Sequence, residues 1–109
     1  GNEPNAAETL AAQAKGLEDL GCFAAVLEFV NMDVAEKVTQ AVSIPTIGIG
    51  SGPGCDGQVL VFHDMLGFGE AWTFIKVFAD AKTLVKQAIE DYAAEVRSGA
   101  FPTREHGKA

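Results

Sequence analysis

The chain has 109 residues, of which 48% are hydrophobic and 21% are charged, and this composition is typical of one globular domain at most. Its formal net charge of −7 argues against sequence-independent binding to nucleic acid or to an anionic membrane surface, since both are negatively charged. No apolar run approaches the roughly 20 residues of a membrane-spanning helix. Two cysteines without a CxxC pair favour free thiols in a reducing cytosol, so we expect a cytoplasmic protein.

Helices and short apolar strands alternate along the first half of the chain. Asn5, followed three positions later by Glu8, is typical of a helix start with a capping box. The predicted elements are a helix that Gly21 ends, a strand over 23–28, a helix over 33–42 and a strand over 45–49. Because the strand residues are continuously apolar, we expect both faces of each strand to be buried. Cys22, at the entrance of the first strand, is predicted to pack in the core.

The second half opens with a segment rich in glycine. The predicted elements are a loop over 50–57, a strand over 58–63, a loop over 65–70, a short helix over 72–78 and a long helix over 83–98 that Gly99 stops. Apolar residues recur at helical spacing in the long helix, which predicts that it buries Val85, Ile89, Tyr92 and Val96. The aromatic residues Trp72, Phe74 and Phe78 are interpreted as core or subunit contacts.

Continuous apolar strands separated by helices predict a parallel α/β sheet. Three strands are too few to close a barrel, so the chain is expected to be part of a larger domain with open sheet edges. Chemistry in parallel α/β proteins lies at the carboxyl ends of the strands. Glu28, the loop 48–56 and the pair His63–Asp64 all fall at such ends, and this collection of polar or flexible features predicts a functional edge.

Glu28 is the first candidate for chemistry, because a carboxylate at the tip of an apolar strand is suited to accept a proton. Its typical task would be to remove a proton next to a carbonyl group, with a nearby cation stabilising the enolate. The alternative is a glutamate that faces water at the rim of the sheet or pairs with a Lys or Arg. Composition alone leaves both open.

The glycine-rich segment 48–57 admits several readings. Its backbone N–H groups would suit an anion, whereas the glycines would equally let the chain turn tightly beneath a substrate. It lacks the Gly-Lys-Ser/Thr ending of a nucleotide P-loop. Cys55 resembles in spacing the nucleophile of inosine monophosphate dehydrogenases, although Asp-Gly follows it here; an inert thiol is the alternative. His63 and Asp64 are adjacent, and we interpret them as holding the rim in place rather than as a dyad.

Three segments together carry a close resemblance to a known family: residues 26–30, 43–64 and 97–102, with the sequences VLEFV, SIPTIGIGSGPGCDGQVLVFHD and RSGAFP. They resemble the C-terminal part of ketopantoate hydroxymethyltransferase. The resemblance implies a (β/α)8 TIM barrel of the phosphoenolpyruvate-utilising superfamily, of which residues 1–109 would be a partial domain with about three strands. It also implies a decameric homo-oligomer that transfers a one-carbon unit from 5,10-methylenetetrahydrofolate to 3-methyl-2-oxobutanoate. The product, ketopantoate, leads to pantothenate and coenzyme A.

The resemblance also implies roles for particular residues. Glu28 corresponds to the base that deprotonates the ketoacid, and Ile49 and Val61 correspond to positions that line the substrate pocket. The Mg²⁺ of the family is held by acidic residues in the N-terminal half of the barrel, and that half is missing from this chain. We therefore expect the chain to need that half as a partner and to be inactive alone. Residues that contact the folate are unknown.

Two other readings remain open at this point. One is an inosine monophosphate dehydrogenase-like barrel in which Cys55 is the nucleophile. The other is a half-barrel module that has lost the chemistry and serves only in assembly.

Overall fold

The computed structural model describes residues 3–109, which divide into two compact units: residues 3–61 with 73–75, and residues 62–72 with 76–109. The helices are Ala6–Asp19 (α1), Met32–Ala41 (α2), Phe62–Met65 (α3) and Ala81–Ser98 (α4). The strands are Ala25–Glu28 (β1), Thr46–Ile49 (β2) and Gly57–Gln58 (β3), and a 3-10 turn covers Arg104–His106. Within the described residues, no helix has the length and apolar character needed to cross a membrane.

The three strands form one parallel sheet in the order β1-β2-β3, which confirms the predicted α/β architecture. β1 and β2 pair over four residues and end side by side, with Glu28 opposite Ile49. β3 contributes only two residues and ends with Gln58 opposite Gly48. Helix α2 makes the crossover that two parallel neighbouring strands require.

The core lies between one face of the sheet and the helices α1 and α2. Its buried members are Ala14, Leu27, Ala35 and Val38, and the small side chains let the helices approach the strand closely. The prediction that the first strand is buried on both faces is wrong. Val26 is 64% exposed, because α1 and α2 cover only the face that carries Leu27, and Phe23, which precedes β1, is 90% exposed.

The helix ends follow local chemistry, with one exception. Gly21 ends α1 as predicted, with φ of 95° that only glycine adopts readily. The capping box expected at Asn5 is not formed: its φ and ψ of −108° and 15° are not extended, and its side chain makes no capping hydrogen bond. Asn31, with ψ of 136°, does cap α2, since its side chain accepts a hydrogen bond of 3.1 Å from the backbone N–H of Asp33.

Glu18 joins the end of α1 to the end of α2. Its carboxylate accepts hydrogen bonds from Lys15 Nζ at 2.9 Å and from the backbone N–H groups of Ser43 at 2.7 Å and Ile44 at 3.1 Å. The Lys15 hydrogen bond, followed by that from Ser43, lowers the pKa of Glu18 below its ordinary value. A lowered pKa in the folded state stabilises the fold above the ordinary pKa of the group, and this contribution is lost as the pH falls through the lowered value.

We therefore expect Glu18→Gln to destabilise the chain near neutral pH and to have progressively less effect in acid. Urea unfolding of the parent chain and of the variant, repeated in steps from pH 7 downwards, measures this difference. Glu8→Gln on an exposed face of α1 removes the same charge and serves as the control. A difference between Glu18→Gln and the parent that stays constant with pH would contradict the assigned role.

Two predictions for the middle of the chain are wrong. The strand expected over 58–63 is limited to Gly57–Gln58, with one further hydrogen bond of 3.0 Å from the backbone N–H of Val59 to Gly48 O. Because β2 ends at Ile49, the residues after Val59 have no strand of β2 left to pair with. Residue 63 lies in α3. The helix expected over 72–78 is absent as well, since the backbone N–H of Phe78 donates to Met65 O at 2.8 Å instead of to a residue one helical turn earlier.

Helix α4 was predicted correctly in extent but not in burial. Gly99, with φ of 82°, ends it, and the Asp80 carboxylate caps its start by accepting hydrogen bonds from the N–H and hydroxyl of Thr83, which lower the pKa of Asp80. No residue of α4 is buried, and the four residues expected in a core are between 44% and 62% exposed: Val85, Ile89, Tyr92 and Val96. Helical spacing identifies the apolar side of a helix, but burial requires a second element on that side.

Candidate functional site at the carboxyl ends of the strands

Glu28 and Ile49 lie side by side where β1 and β2 end. Side chains alternate between the two faces of a strand, and Leu27 faces the core, so Glu28 points to the opposite, open face. Ile49 is its register partner and shares that face. Neither ion pair found within residues 3–109 involves Glu28, whose carboxylate is exposed. The structure thus brings together two of the three residues predicted for the site.

Val61, the third predicted residue, lies beyond the sheet rather than in a strand. It is 50% exposed and follows β3 by three residues. Its place in a substrate pocket stays a prediction.

Ser51 fixes the backbone on both sides of Glu28. The residue is completely buried, and its hydroxyl donates to Leu27 O at 2.7 Å and accepts a hydrogen bond of 3.0 Å from the backbone N–H of Val30. These two bonds bracket Glu28 and Phe29. The sequence did not point to Ser51, because a serine between two glycines is typical of an ordinary loop. Its partners, Leu27 and Val30, are distant in the sequence and are brought to it only by the fold.

Phe29 adopts a backbone conformation that is rare for a bulky residue, with φ of 53°. This conformation turns its ring out of the strand and onto the glycine-rich loop, where it lies 5.4 Å from the ring of Phe74. A Cβ atom at Gly50 would lie 3.1 Å from each of these rings. Gly50 is therefore required both for its own φ of 64° and for the space that the two rings occupy.

An open groove of about 660 Å³ lies beside this pair of rings, and we call it the loop groove. Its lining residues are Phe29, Met32, Gly50, Gly52, Pro53, Cys55, Asp56, Gly57, Gln58, Thr73 and Phe74. Glu28, Ile49 and Val61 are not among them. The groove nevertheless begins one residue beyond the strand ends, because Phe29 follows Glu28 and Gly50 follows Ile49 in the chain.

The far end of the loop is anchored to the sheet by Asp56. Its Oδ2 atom accepts hydrogen bonds from the backbone N–H of Thr46 at 2.9 Å and from the Thr46 hydroxyl at 3.3 Å. The hydroxyl of Thr46, a fully buried residue, also lies 2.8 Å from the hydroxyl of Thr39 on α2. Helix, strand and loop are thus joined through one polar cluster, which holds the groove wall in place.

The structure agrees with one of the two expectations for the cysteines. Cys55 is half-buried and packs against the core, and a Cβ at Gly48 would lie 3.0 Å from its Sγ. This contact agrees with a packing role for the thiol. The prediction that Cys22 packs in the core is wrong: it is exposed, since it lies in the turn that follows α1 before β1 begins.

The acidic, histidine and cysteine side chains of the described residues are too scattered to hold a metal ion. Among residues 3–109, no group of three or more His, Cys, Asp or Glu side chains is arranged to hold a metal ion. Residues 63 and 64, expected at the tip of a strand, lie in α3 instead. The described residues therefore do not make a Mg²⁺ site by themselves.

Comparison with known proteins identifies the family. The family described as ketopantoate hydroxymethyltransferase matches residues 1–104. A protein of Geotalea uraniireducens (strain Rf4), named 3-methyl-2-oxobutanoate hydroxymethyltransferase, is 50% identical over 108 residues, which are 97% of this chain and 40% of that protein. Proteins of the same name from Thermococcus kodakarensis and Pyrobaculum islandicum are 54% and 55% identical, over 91% and 85% of this chain.

The match does not extend over the whole of these relatives. The chain spans 35–40% of the length of the relatives named here. The matched residues include the whole parallel sheet, the glycine-rich loop and α4. The chain therefore belongs to the ketopantoate hydroxymethyltransferase family.

Proposed function

We propose that this chain supplies the part of the active site that contains Glu28, in an enzyme that transfers a hydroxymethyl group to 3-methyl-2-oxobutanoate. The one-carbon donor is 5,10-methylenetetrahydrofolate, and the product is ketopantoate, a precursor of pantothenate. The observation that carries the proposal is the position of Glu28: an exposed carboxylate at the carboxyl end of a parallel strand, beside an open groove, in a chain of this family.

The uneven burial of the sheet supports a barrel. In a (β/α)8 barrel the helices cover the outer face of the strands, and side chains from the other strands fill the inner face. Here α1 and α2 cover the face of Leu27, whereas Val26, Glu28 and Ile49 lie on the other face. We infer that β1, β2 and β3 are successive barrel strands. The other strands would come from parts of the enzyme that this chain does not match.

Glu28 acts as the general base in the proposed mechanism. Its carboxylate takes the proton from C3 of 3-methyl-2-oxobutanoate, the carbon next to the keto group, and the electrons of the C–H bond form the enolate. C3 of the enolate then attacks the methylene carbon of the donor, and as the new carbon–carbon bond forms, the bond from that carbon to one donor nitrogen breaks and the nitrogen is protonated. Water then replaces the second nitrogen on this carbon, which supplies the hydroxyl oxygen and releases tetrahydrofolate. Ile49, on the same face as Glu28, lies against the two methyl groups of the substrate, and Val61 adds to this apolar wall.

The metal and the assembly belong to the same proposal. Mg²⁺, when bound, would stabilise the negative charge of the enolate oxygen. Its acidic ligands would come from parts of the enzyme outside residues 3–109. Assembly as a homo-oligomer and a cytoplasmic location, both implied by the family resemblance, remain predictions.

A chimera tests the proposal. The segment of the Geotalea uraniireducens enzyme that matches this chain is replaced by it, and transfer of the hydroxymethyl group to 3-methyl-2-oxobutanoate is measured with the parent enzyme as control. We expect the chimera to be active and Cys55→Ala in the chimera to retain turnover within a factor of a few. Loss of turnover in a folded Cys55→Ala variant would favour the cysteine nucleophile. A folded but inactive chimera would favour an assembly module.

A further inference from the structure

The loop groove has the dimensions and lining of a small-molecule site. Its volume of about 660 Å³ lies within the range of roughly 300–1,000 Å³ that is usual for ligand pockets. One wall is apolar and carries the rings of Phe29 and Phe74 with the side chains of Met32 and Pro53. Phe29 is 67% exposed and Met32 is 61% exposed, although both residues are apolar. The rare backbone conformation of Phe29 fixes its ring at the groove, so the groove presents a preformed apolar surface on which a ligand can pack.

The rings favour a flat ligand. Phe29 and Phe74 meet edge to face at 5.4 Å with 61° between their planes, and both residues line the groove. Gly50 and Gly52 also line the groove and lie against this apolar wall, since a Cβ atom at Gly50 would meet the two rings and a Cβ atom at Gly52 would meet Met32. A flat ring system would fill such a space with little loss of conformational entropy, and aromatic side chains stack on it regardless of its substituents.

The polar groups of the groove favour a ligand that donates hydrogen bonds. Both hydrogen bonds from Thr46 to Asp56 end on Oδ2, which leaves Oδ1 as an acceptor. The side-chain amide of Gln58 donates to Gly52 O at 2.9 Å, so its own oxygen is a second acceptor. The lining contains no Lys or Arg, and Asp56 brings a negative charge. A small anion such as the ketoacid is therefore disfavoured here, because nothing in the lining compensates its charge.

We propose that the loop groove binds the amino-substituted heteroaromatic ring of the one-carbon donor, with Asp56 accepting its N–H groups and Phe74 stacking on it. The identity of the ligand rests on the proposed function; the groove itself does not. The placement is chemically consistent, because the carbon to be transferred has to reach the atom that Glu28 deprotonates. The groove begins at Phe29, the residue next to Glu28.

Direct binding to the 109-residue chain tests this site without any need for turnover. Tetrahydrofolate, which has no carbon to transfer, is titrated into the chain by calorimetry with oxygen excluded. We expect saturable binding that Phe74→Ala and Asp56→Asn each weaken by roughly ten-fold or more. Asn at position 56 retains an oxygen for the Thr46 N–H, so the loop stays anchored while the carboxylate is lost.

Controls separate this site from the base. Phe23→Ala removes a ring that is 90% exposed and outside the groove, and it should leave the dissociation constant within two-fold of the parent. Addition of 3-methyl-2-oxobutanoate should not displace tetrahydrofolate. Absence of saturable binding, an equal loss in Phe23→Ala, or unchanged binding in both groove variants would overturn the inference. None of these results bears on Glu28, whose role is tested by turnover alone.

Discussion

Replacement of Glu28 by Gln in the chimeric enzyme is expected to lower the turnover number by a factor of roughly 10²–10⁴, the usual contribution of a general base. The amide keeps the size of the side chain but cannot accept the proton of the ketoacid. Because Glu28 is exposed in this chain and takes part in neither ion pair of the described residues, its substitution should leave the urea midpoint of the 109-residue chain unchanged. Steady-state kinetics with both substrates varied gives the turnover number.

A matched substitution shows whether the loss comes from position or merely from charge. Glu8→Gln removes the same charge from an exposed site on α1 and is expected to retain full turnover. Turnover of Glu28→Gln equal to that of the parent would remove Glu28 from the mechanism. An equal fall in both variants would indicate an effect of net charge instead.

Replacement of Gly52 by Ala is expected to have the largest effect on stability, about 2–4 kcal/mol, because it combines a disfavoured backbone conformation with overpacking. Gly52 has φ of 75°, and a Cβ atom there would lie 2.9 Å from Cβ of Met32. The Cβ of Met32 belongs to the rigid start of its side chain, so the end of that side chain cannot relieve the contact by rotating. Urea unfolding of the 109-residue chain measures the change.

Gly16→Ala is the control for that experiment. Gly16 lies inside α1, and apart from its chain neighbours and the nearby backbone of that helix, no atom lies within 4 Å of a Cβ built there. Alanine has the higher helix propensity, so this variant is expected to be more stable by about 0.5–1 kcal/mol. The same chemical change should thus have opposite signs at the two glycines. A midpoint for Gly52→Ala at or above that of the parent would show that the loop relaxes freely around the added methyl group.

Gly52 is sensitive to substitution because the loop that contains it is held firmly. The buried hydroxyl of Ser51 joins the start of this loop to β1, and Asp56 joins its end to β2. Both contacts join residues that are at least ten positions apart in the chain. The groove wall is therefore a fixed part of the sheet edge, and we expect substitutions in the loop to alter stability and ligand binding together, whereas Glu28→Gln alters turnover alone.

Sequence reasoning reached the principal features of the site because they depend on local order. A carboxylate at the end of an apolar run, followed by a helix, is placed at the carboxyl edge of a parallel sheet by strand direction alone. The prediction that Glu28 and the loop after β2 meet at one edge follows from this rule, and the structure places Glu28 opposite Ile49, where β2 ends. His63 and Asp64, predicted at the same edge, lie in α3 instead. The loop groove was not predicted, because Phe74 comes from a segment expected to be helical. It packs on Phe29, which is distant in the sequence, only in the tertiary structure.

The amino-acid sequence by itself determined the alternation of helices and strands, the helix ends at Gly21 and Gly99, and the family. Periodicity, glycine conformation and motif order are properties of the chain that need no partner. Only the tertiary structure decided which faces are buried: Leu27 is covered whereas Val26, its neighbour in the same apolar run, is not. It also decided that β3 stops at Gln58. Burial and strand pairing depend on the element that packs alongside, and no local pattern specifies whether that element is there.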